Sequence, residues 1–196
     1  MRSLPWIIVT LGFVVLTILY FLPKIPHVSP TSPTSKTLNQ RASPMTFSIT
    51  SPAFVMNGNI PKRFTCDGEN ISPEFLINGV PEGTQSLALT MEDPDVPTSI
   101  RADGMWDHWI IWNMPPSTTH IVEGAMPPGI LGTGTSGKAA YFGPCPPDRE
   151  HRYIFTLYAL DATITLPKGS SKNELLQAMN SHIIGQTNLI GKYDRK

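Results

Sequence analysis

The chain has 196 residues, and its 15 lysines and arginines balance its 15 aspartates and glutamates, so the formal net charge is zero. This length allows one ordinary domain and a tail, and the hydrophobic fraction of 40% is enough for a core. Zero net charge, with no basic run and no interleaving of basic and aromatic residues, gives no reason to expect nucleic acid as a partner.

Residues 5–22 form an uncharged apolar run flanked by Arg2 and Lys24. As a helix this run would be roughly 27 Å long at 1.5 Å per residue, which is about the hydrocarbon thickness of a bilayer. It is longer than the usual apolar region of a signal peptide, and no convincing cleavage site follows. We therefore predict a transmembrane signal anchor at residues 1–22, with a cleaved signal peptide as the alternative. The protein would be membrane-anchored through this N-terminal helix, with its soluble domain on the extracytoplasmic (periplasmic) side.

Residues 23–44 are rich in Pro, Ser and Thr and have few large apolar side chains, so they are predicted to be a solvated linker. The folded domain would then cover residues 45–196. Its short apolar runs are separated by Gly, Pro and Asn turns, which predicts a series of β-strands. The predicted strands cover residues 46–49, 54–56, 75–77, 86–91, 108–114 and 153–160.

One helix is predicted late in the chain. Ser171 and Glu174 have the spacing of a capping box, an apolar stripe runs from Leu175 to Ile183, and Gly185 is the expected stop. Strands followed by one helix predict a mainly β domain with a peripheral helix.

Two carboxylates follow the predicted strand at residues 86–91. Alternation places Asp93 on the buried side of this strand, and Asp95 lies two residues on, in a turn stiffened by Pro94 and Pro97. Two carboxylates this close repel each other when both are ionised, so they require donors such as a histidine or an ammonium ligand. The alternative is an Asx-type turn in which both only accept backbone N–H groups.

Two histidines lie where predicted strands begin. Alternation places His108 on the same face as Trp112, and a satisfied core histidine is the alternative to a ligand-binding one. His151 and Tyr153 are two residues apart and are expected to point the same way. Arg152 would then face the opposite side, as a structural ion-pair partner.

The two cysteines, Cys66 and Cys145, lie outside any CxxC pattern. They could pair if the domain is extracytoplasmic and their Cα atoms come within bridging range, but two buried thiols fit the sequence equally well. The proline-rich loop at residues 143–147 begins with Gly143, which would permit close approach of the backbone to a ligand. A rigid connector is the alternative for this loop.

Five motifs in this order carry a resemblance. They are residues 64–73 (FTCDGENISP), 93–97 (DPDVP), 106–109 (WDHW), 143–147 (GPCPP) and 151–153 (HRY). Together they resemble the phosphatidylethanolamine-binding protein (PEBP) family, and most of all its bacterial YbhB/YbcL-type branch, called Raf kinase inhibitor-like. The resemblance covers residues 45–193. It implies a PEBP-like, mainly β fold, in which a large central antiparallel sheet packs on a smaller sheet, with a C-terminal helix.

The resemblance also implies a small anion pocket that takes phosphate or phosphoethanolamine-like groups. Matched residue by residue, the pocket would use Asp93, Asp95, His108, Gly143, Pro144, His151 and Tyr153, with Trp106 at its rim. Protonated His108 or His151 and the Tyr153 hydroxyl would donate to phosphate oxygens. Family members often have cis peptides near the pocket, and the bond before Pro97 is a candidate. Phe142 stands where bacterial members more often have glycine, and would narrow the pocket.

The leading hypothesis is therefore a membrane-tethered, non-catalytic binding or inhibitory module for a phospholipid head group or a phosphorylated partner, with no cofactor and no metal. A metal-assisted phosphoester hydrolase is the alternative, because two Asp and two His could hold a divalent ion. The absence of an HExxH motif or a close pair of histidines counts against it. A third possibility is an inhibitor of a protein partner, such as a kinase or protease, acting through the exposed loop at residues 148–150.

Overall fold

The computed structural model of the protein describes residues 46–195. The predicted anchor and linker at residues 1–44 lie outside the described residues. Between residues 46 and 195, no helix is both long enough and apolar enough to cross a membrane. The elements of this part are, in chain order, β1 (Ser48–Thr50), β2 (Gly58–Asn59), a 3₁₀ helix (Lys62–Phe64), β3 (Phe75–Asn78), β4 (Ser86–Asp93), β5 (Trp106–Met114), β6 (His120–Ile121), β7 (Ile130–Leu131), β8 (His151–Leu160), α1 (Lys172–Met179) and β9 (Ile183–Tyr193).

The strands form two sheets. The larger sheet has six strands in the order β2-β9-β8-β4-β5-β7, and the smaller sheet has three in the order β1-β3-β6. Every pair of neighbours is antiparallel except β2 and β9, which are parallel. The predicted mainly β fold, with a large central sheet and a smaller one, is thereby confirmed.

β4 lies in the middle of the larger sheet and is buried on both faces, as a central strand should be. Leu87, Leu89 and Met91 enter the cluster that also holds side chains of the smaller sheet, such as Phe75. Ala88 points the other way, into a second cluster that packs beneath α1. Full burial of a side chain such as Leu contributes roughly 1.5–3 kcal/mol, so this alternation fixes the register of β4 and holds its last residue, Asp93, in place.

The end of the chain differs from the prediction. The capping box of Ser171 and Glu174 is present, but the helix ends at Met179, and Ile183 begins β9. The predicted helix is thus present but shorter, and β9, which pairs with β8 along its length, follows it as the last described element. The polar residues along β9 give no apolar alternation, and pairing with β8 decides its conformation.

The predicted strand at residues 54–56 is also wrong. Asn57 has a φ of 62°, and the N–H of Gly58 donates to the carbonyl of Val55, so these residues form a turn. The strand here is β2, two residues further on. The predicted strands that became β4, β5 and β8 are each two residues longer than expected, and in each case the extension is toward the candidate site.

Two covalent features are settled by the structure. Cys66 and Cys145 form a disulfide whose Cα atoms are 5.4 Å apart, so the question left open by the sequence is answered in favour of pairing. The prediction of a cis bond before Pro97 is wrong, because all peptide bonds of the described residues are trans.

Candidate functional site

His108 is placed in the site by a β-bulge. Met91 and Glu92 of β4 pair with Trp109 and Asp107 of β5. His108 lies between these two β5 residues and has no partner on β4. Such an extra residue interrupts the alternation of the strand. His108 therefore lies against Tyr153, with ring centroids 5.3 Å apart, while Trp112 packs in the cluster beneath α1. The prediction that His108 and Trp112 share a face is wrong for this reason.

A cavity of about 220 Å³ opens at this end of the larger sheet. It is lined by Asp93, Val96, Ile100, Trp106, His108, Phe142, Cys145 and Pro147. Three of the predicted site residues, Asp93, Trp106 and His108, are thus brought together at one cavity. Sites for drug-sized ligands usually measure 300–1,000 Å³, so this cavity fits a smaller group.

Asp93 belongs to a buried chain of polar groups beneath the cavity. It is 3% exposed, and its Oδ1 accepts the backbone N–H of Asp95 at 2.8 Å, as in the Asx-type turn. Its Oδ2 lies 2.7 Å from Nδ1 of the fully buried His151, whose Nε2 lies 2.9 Å from Asp148 Oδ1. Desolvation raises the pKa of Asp93, and the bond to His151 opposes that rise. The donor expected for Asp93 is therefore His151.

Asp95 is held outside the cavity lining by Arg152. The guanidinium donates to both carboxylate oxygens, at 2.8 and 2.7 Å, and the backbone N–H of Arg152 also donates to Asp95 Oδ2, at 2.9 Å. These bonds lower the pKa of Asp95 to about 2. The predicted ion-pair role of Arg152 is confirmed. Its partner is Asp95, which was predicted to belong to the ligand pocket.

His108 is held as a neutral ring. Its Nδ1 lies 2.6 Å from the backbone carbonyl of Phe142, and because a carbonyl only accepts, Nδ1 carries the proton. Burial lowers the pKa of His108 to about 4, which leaves Nε2 as an acceptor at neutral pH. In this structure His108 is therefore an acceptor at neutral pH and not the protonated donor that was expected from the sequence. The ring of Phe142 stacks on His108 at 5.9 Å and narrows the cavity on this side.

Gly143 and Pro144 do not line the cavity and instead join the loop to the rest of the domain. The N–H of Gly143 donates to Asn70 Oδ1 at 2.8 Å, and the carbonyl of Pro144 accepts from Cys66 N–H at 3.0 Å. A Cβ at Gly143 would collide with the backbone carbonyl of Phe64. The glycine is thus required by chain packing, and the loop serves as the rigid connector of the alternative interpretation.

Two buried donors lie at this end of the sheet. Trp106 Nε1, in the cavity lining, has no hydrogen-bond partner among the described residues, and Tyr153 Oη, outside the lining, makes no hydrogen bond of ordinary geometry but lies close enough to Asp93 and the Cys145 backbone to interact with both. Burial and, secondly, the charge of Asp93 raise the pKa of Tyr153, so its hydroxyl stays protonated. An unpartnered buried donor costs roughly 1–3 kcal/mol, so an acceptor placed in the cavity would stabilise this arrangement.

The polar pattern of the sequence missed much of the lining. Val96, Ile100, Cys145 and Pro147 complete the cavity wall; all but Ile100 lie in motifs noted in the sequence, but none was chosen as a site residue because none has a charged or hydrogen-bonding side chain. Asp148 was assigned to an exposed loop, and its bond to His151 was not foreseen. Among residues 46–195, no three His, Cys, Asp or Glu side chains group in a way that could hold a metal ion.

Comparisons with known proteins agree with this architecture. Residues 50–194 match the family model for phosphatidylethanolamine-binding protein. A UPF0098 protein of Chlamydia pneumoniae is 48% identical over 147 residues, which cover 75% of this chain and 98% of that protein. A crystal structure of a PEBP homologue from Chlamydia trachomatis has a TM-score of 0.75 at 43% identity, covering 76% of this chain and 98% of that one. E. coli YbcL has a TM-score of 0.70 at 31% identity, covering 76% and 99%. The chain therefore belongs to the phosphatidylethanolamine-binding protein family.

Proposed function

We propose that this protein is a non-catalytic binding module whose cavity holds a phosphate or phosphoethanolamine-type group. The observation that carries the proposal is Trp106 Nε1, a buried donor that lines the cavity without an acceptor, with the Tyr153 hydroxyl as a second buried donor. Phosphate oxygens are strong acceptors and would satisfy both. The family is in general one of binding proteins, which favours capture of a ligand over turnover.

The other polar groups at the cavity indicate which form of the ligand would fit. Asp93 and the Nε2 atom of His108 are acceptors, and no lysine or arginine belongs to the lining. A ligand that brings its own donor, either a singly protonated phosphate or an ammonium group, would pair with these acceptors. Phosphoethanolamine carries both the oxygens and the ammonium group, as does the head group of the corresponding phospholipid.

The setting of this site is also part of the proposal. The predicted anchor and linker would hold the domain close to a bilayer and raise its effective concentration near lipid head groups. The Cys66–Cys145 disulfide supports an extracytoplasmic location, because disulfides persist in oxidising compartments. A phosphorylated partner protein would present the same chemistry from another source.

The test is calorimetric titration of phosphate and phosphoethanolamine into the full chain in detergent. Trp106→Phe and Tyr153→Phe each remove one donor while keeping a ring, and each should lower affinity by about tenfold, the equivalent of roughly 1.4 kcal/mol. Trp112→Phe is the matched control, since its indole nitrogen is also buried without a partner but packs beneath α1. Absence of saturable binding to the wild type, or an equal loss in Trp112→Phe, would refute the proposal.

A further inference from the structure

Asp148 connects an exposed loop to the buried centre of the site. Its side chain is 45% exposed, yet its Oδ1 lies 2.9 Å from Nε2 of the fully buried His151. The other ring nitrogen of His151 is engaged by Asp93 at 2.7 Å. Asp148 therefore occupies the second and last hydrogen-bonding position of the imidazole.

This contact lies in the wall between two cavities. Pro147 lines the inner cavity of about 220 Å³ and also an outer cavity of about 530 Å³. Asp148 lines the outer cavity together with Lys62, Asp67, Asp194 and Arg195, and the Arg195 guanidinium donates to Asp67 at 2.9 Å. The wall is a single loop that is exposed from Pro147 to Glu150.

The carboxylate of Asp148 resembles an anionic ligand in charge and in acceptor chemistry. Its hydrogen bond to His151 lowers its pKa, so it is ionised at neutral pH. Because the side chain is partly solvated, the pair is held much less tightly than one that is fully buried. Another anion could displace Asp148 from His151 at small cost. The buried bond between Asp93 and His151 could not be replaced in this way.

We propose that Asp148 is an internal competitor for anionic ligands: it holds the N–H of His151 that a phosphate oxygen would otherwise take. Its displacement frees Nε2 of His151 for the ligand. Asp148 thereby sets how strongly the site binds anions. This inference rests on the proposed function, since it concerns the same site.

The test compares Asp148→Asn with Glu150→Gln in the full chain. Glu150 is on the same loop, its side chain is 48% exposed, and its partner is Lys192 at 3.4 Å, so this variant loses the same charge without touching His151. In calorimetric titrations at pH 6, Asp148→Asn should bind phosphate about fivefold more tightly than the wild type, which corresponds to about 1 kcal/mol. Glu150→Gln should change affinity less than twofold. Asp148→Ala serves as a second variant, and thermal unfolding shows that each variant is folded.

Ethanolamine is the matched ligand, because a cation does not compete with a carboxylate. A loop that is merely looser would bind phosphate and ethanolamine more tightly alike, whereas loss of a competitor favours phosphate alone. The inference is overturned if Asp148→Asn and Asp148→Ala bind phosphate no better than Glu150→Gln, or if ethanolamine gains equally. If the wild type and all variants fail to bind phosphate or phosphoethanolamine, the proposed function itself fails.

Discussion

Lys172 offers a sharp test of how the two strands that carry the site are held. Its ammonium lies 2.6 Å from Glu92, the next-to-last residue of β4, and 2.6 Å from Asp107, which flanks the bulge of β5. The lysine is at the first position of α1, where the helix dipole disfavours a positive charge, so these two bonds decide its place. Lys172→Met keeps the apolar stem and removes the charge.

The expected loss can be estimated from burial. Removing one partner of a fully buried ion pair costs about 3–5 kcal/mol. The side chains of Glu92 and Asp107 retain 25% and 26% of their exposure, so water can partly replace the ammonium. We therefore expect Lys172→Met to lower the free energy of unfolding by about 2 kcal/mol. The pKa of Lys172 is raised in the folded protein, so its contribution is present at pH 7 and disappears only in strongly alkaline solution.

The assay is equilibrium unfolding in urea at pH 7, with Lys168→Met as the control, because Lys168 is exposed. A surface change of this kind should remain within about 0.5 kcal/mol. Adding Glu92→Gln and Asp107→Asn to Lys172→Met should recover part of the loss, since no unpaired charge then remains. A loss equal to that of Lys168→Met, or no recovery in the combined variant, would refute the reasoning.

The remaining predictions concern the disulfide, the buried histidine and the width of the cavity. The Cys66–Cys145 bond spans a sequence separation of 79 residues, so Cys145→Ser, or added reductant, should lower the free energy of unfolding by about 4 kcal/mol. Urea unfolding with and without reductant measures this loss, and an unchanged midpoint would contradict the prediction. The pKa of His108 is lowered to about 4, so the unfolded state binds more protons below pH 6.5 and stability should fall by about 3 kcal/mol between pH 6.5 and pH 4. His108→Gln should flatten that part of the stability profile in chemical denaturation, and an unaltered slope would exclude the assignment. Phe142→Ala keeps both backbone bonds to His108 but widens the cavity, so the affinity ratio of glycerophosphoethanolamine to phosphoethanolamine should rise by about tenfold in competition titrations. A ratio equal to that of the wild type would show that this ring does not limit ligand size.

The sequence predicted those parts of the fold in which one local pattern dominates. β5 and β8 were found because their residues are apolar on both faces, and the start of α1 was found from its capping box. β9 was missed because its conformation depends on hydrogen bonds to β8, a partner more than twenty residues away along the chain. Pairing between distant segments leaves no periodic signal in the segment itself.

Of the residues that line the cavity, the predicted site included only Asp93, Trp106 and His108. The period-two rule correctly buried Asp93, but it could not show that Arg152 reaches back to Asp95. It also placed His108 on the wrong face, because a bulge adds one residue without any mark in composition. The chemical state of His108 follows from the carbonyl of Phe142, a contact across 34 residues of chain.

The bulge has a consequence for how this site relates to its scaffold. Without His108, Trp109 and Asp107 would be adjacent in sequence and would pair with the same consecutive residues of β4 that they pair with now. Trp106 would stay opposite Asp93, and Asp107 would stay beside Lys172. The histidine is therefore an extra residue in the pairing of β5 with β4, which has a second irregularity between Leu87 and Leu89. Another residue in place of His108 would leave the β4 partners of Trp106, Asp107 and Trp109 unchanged.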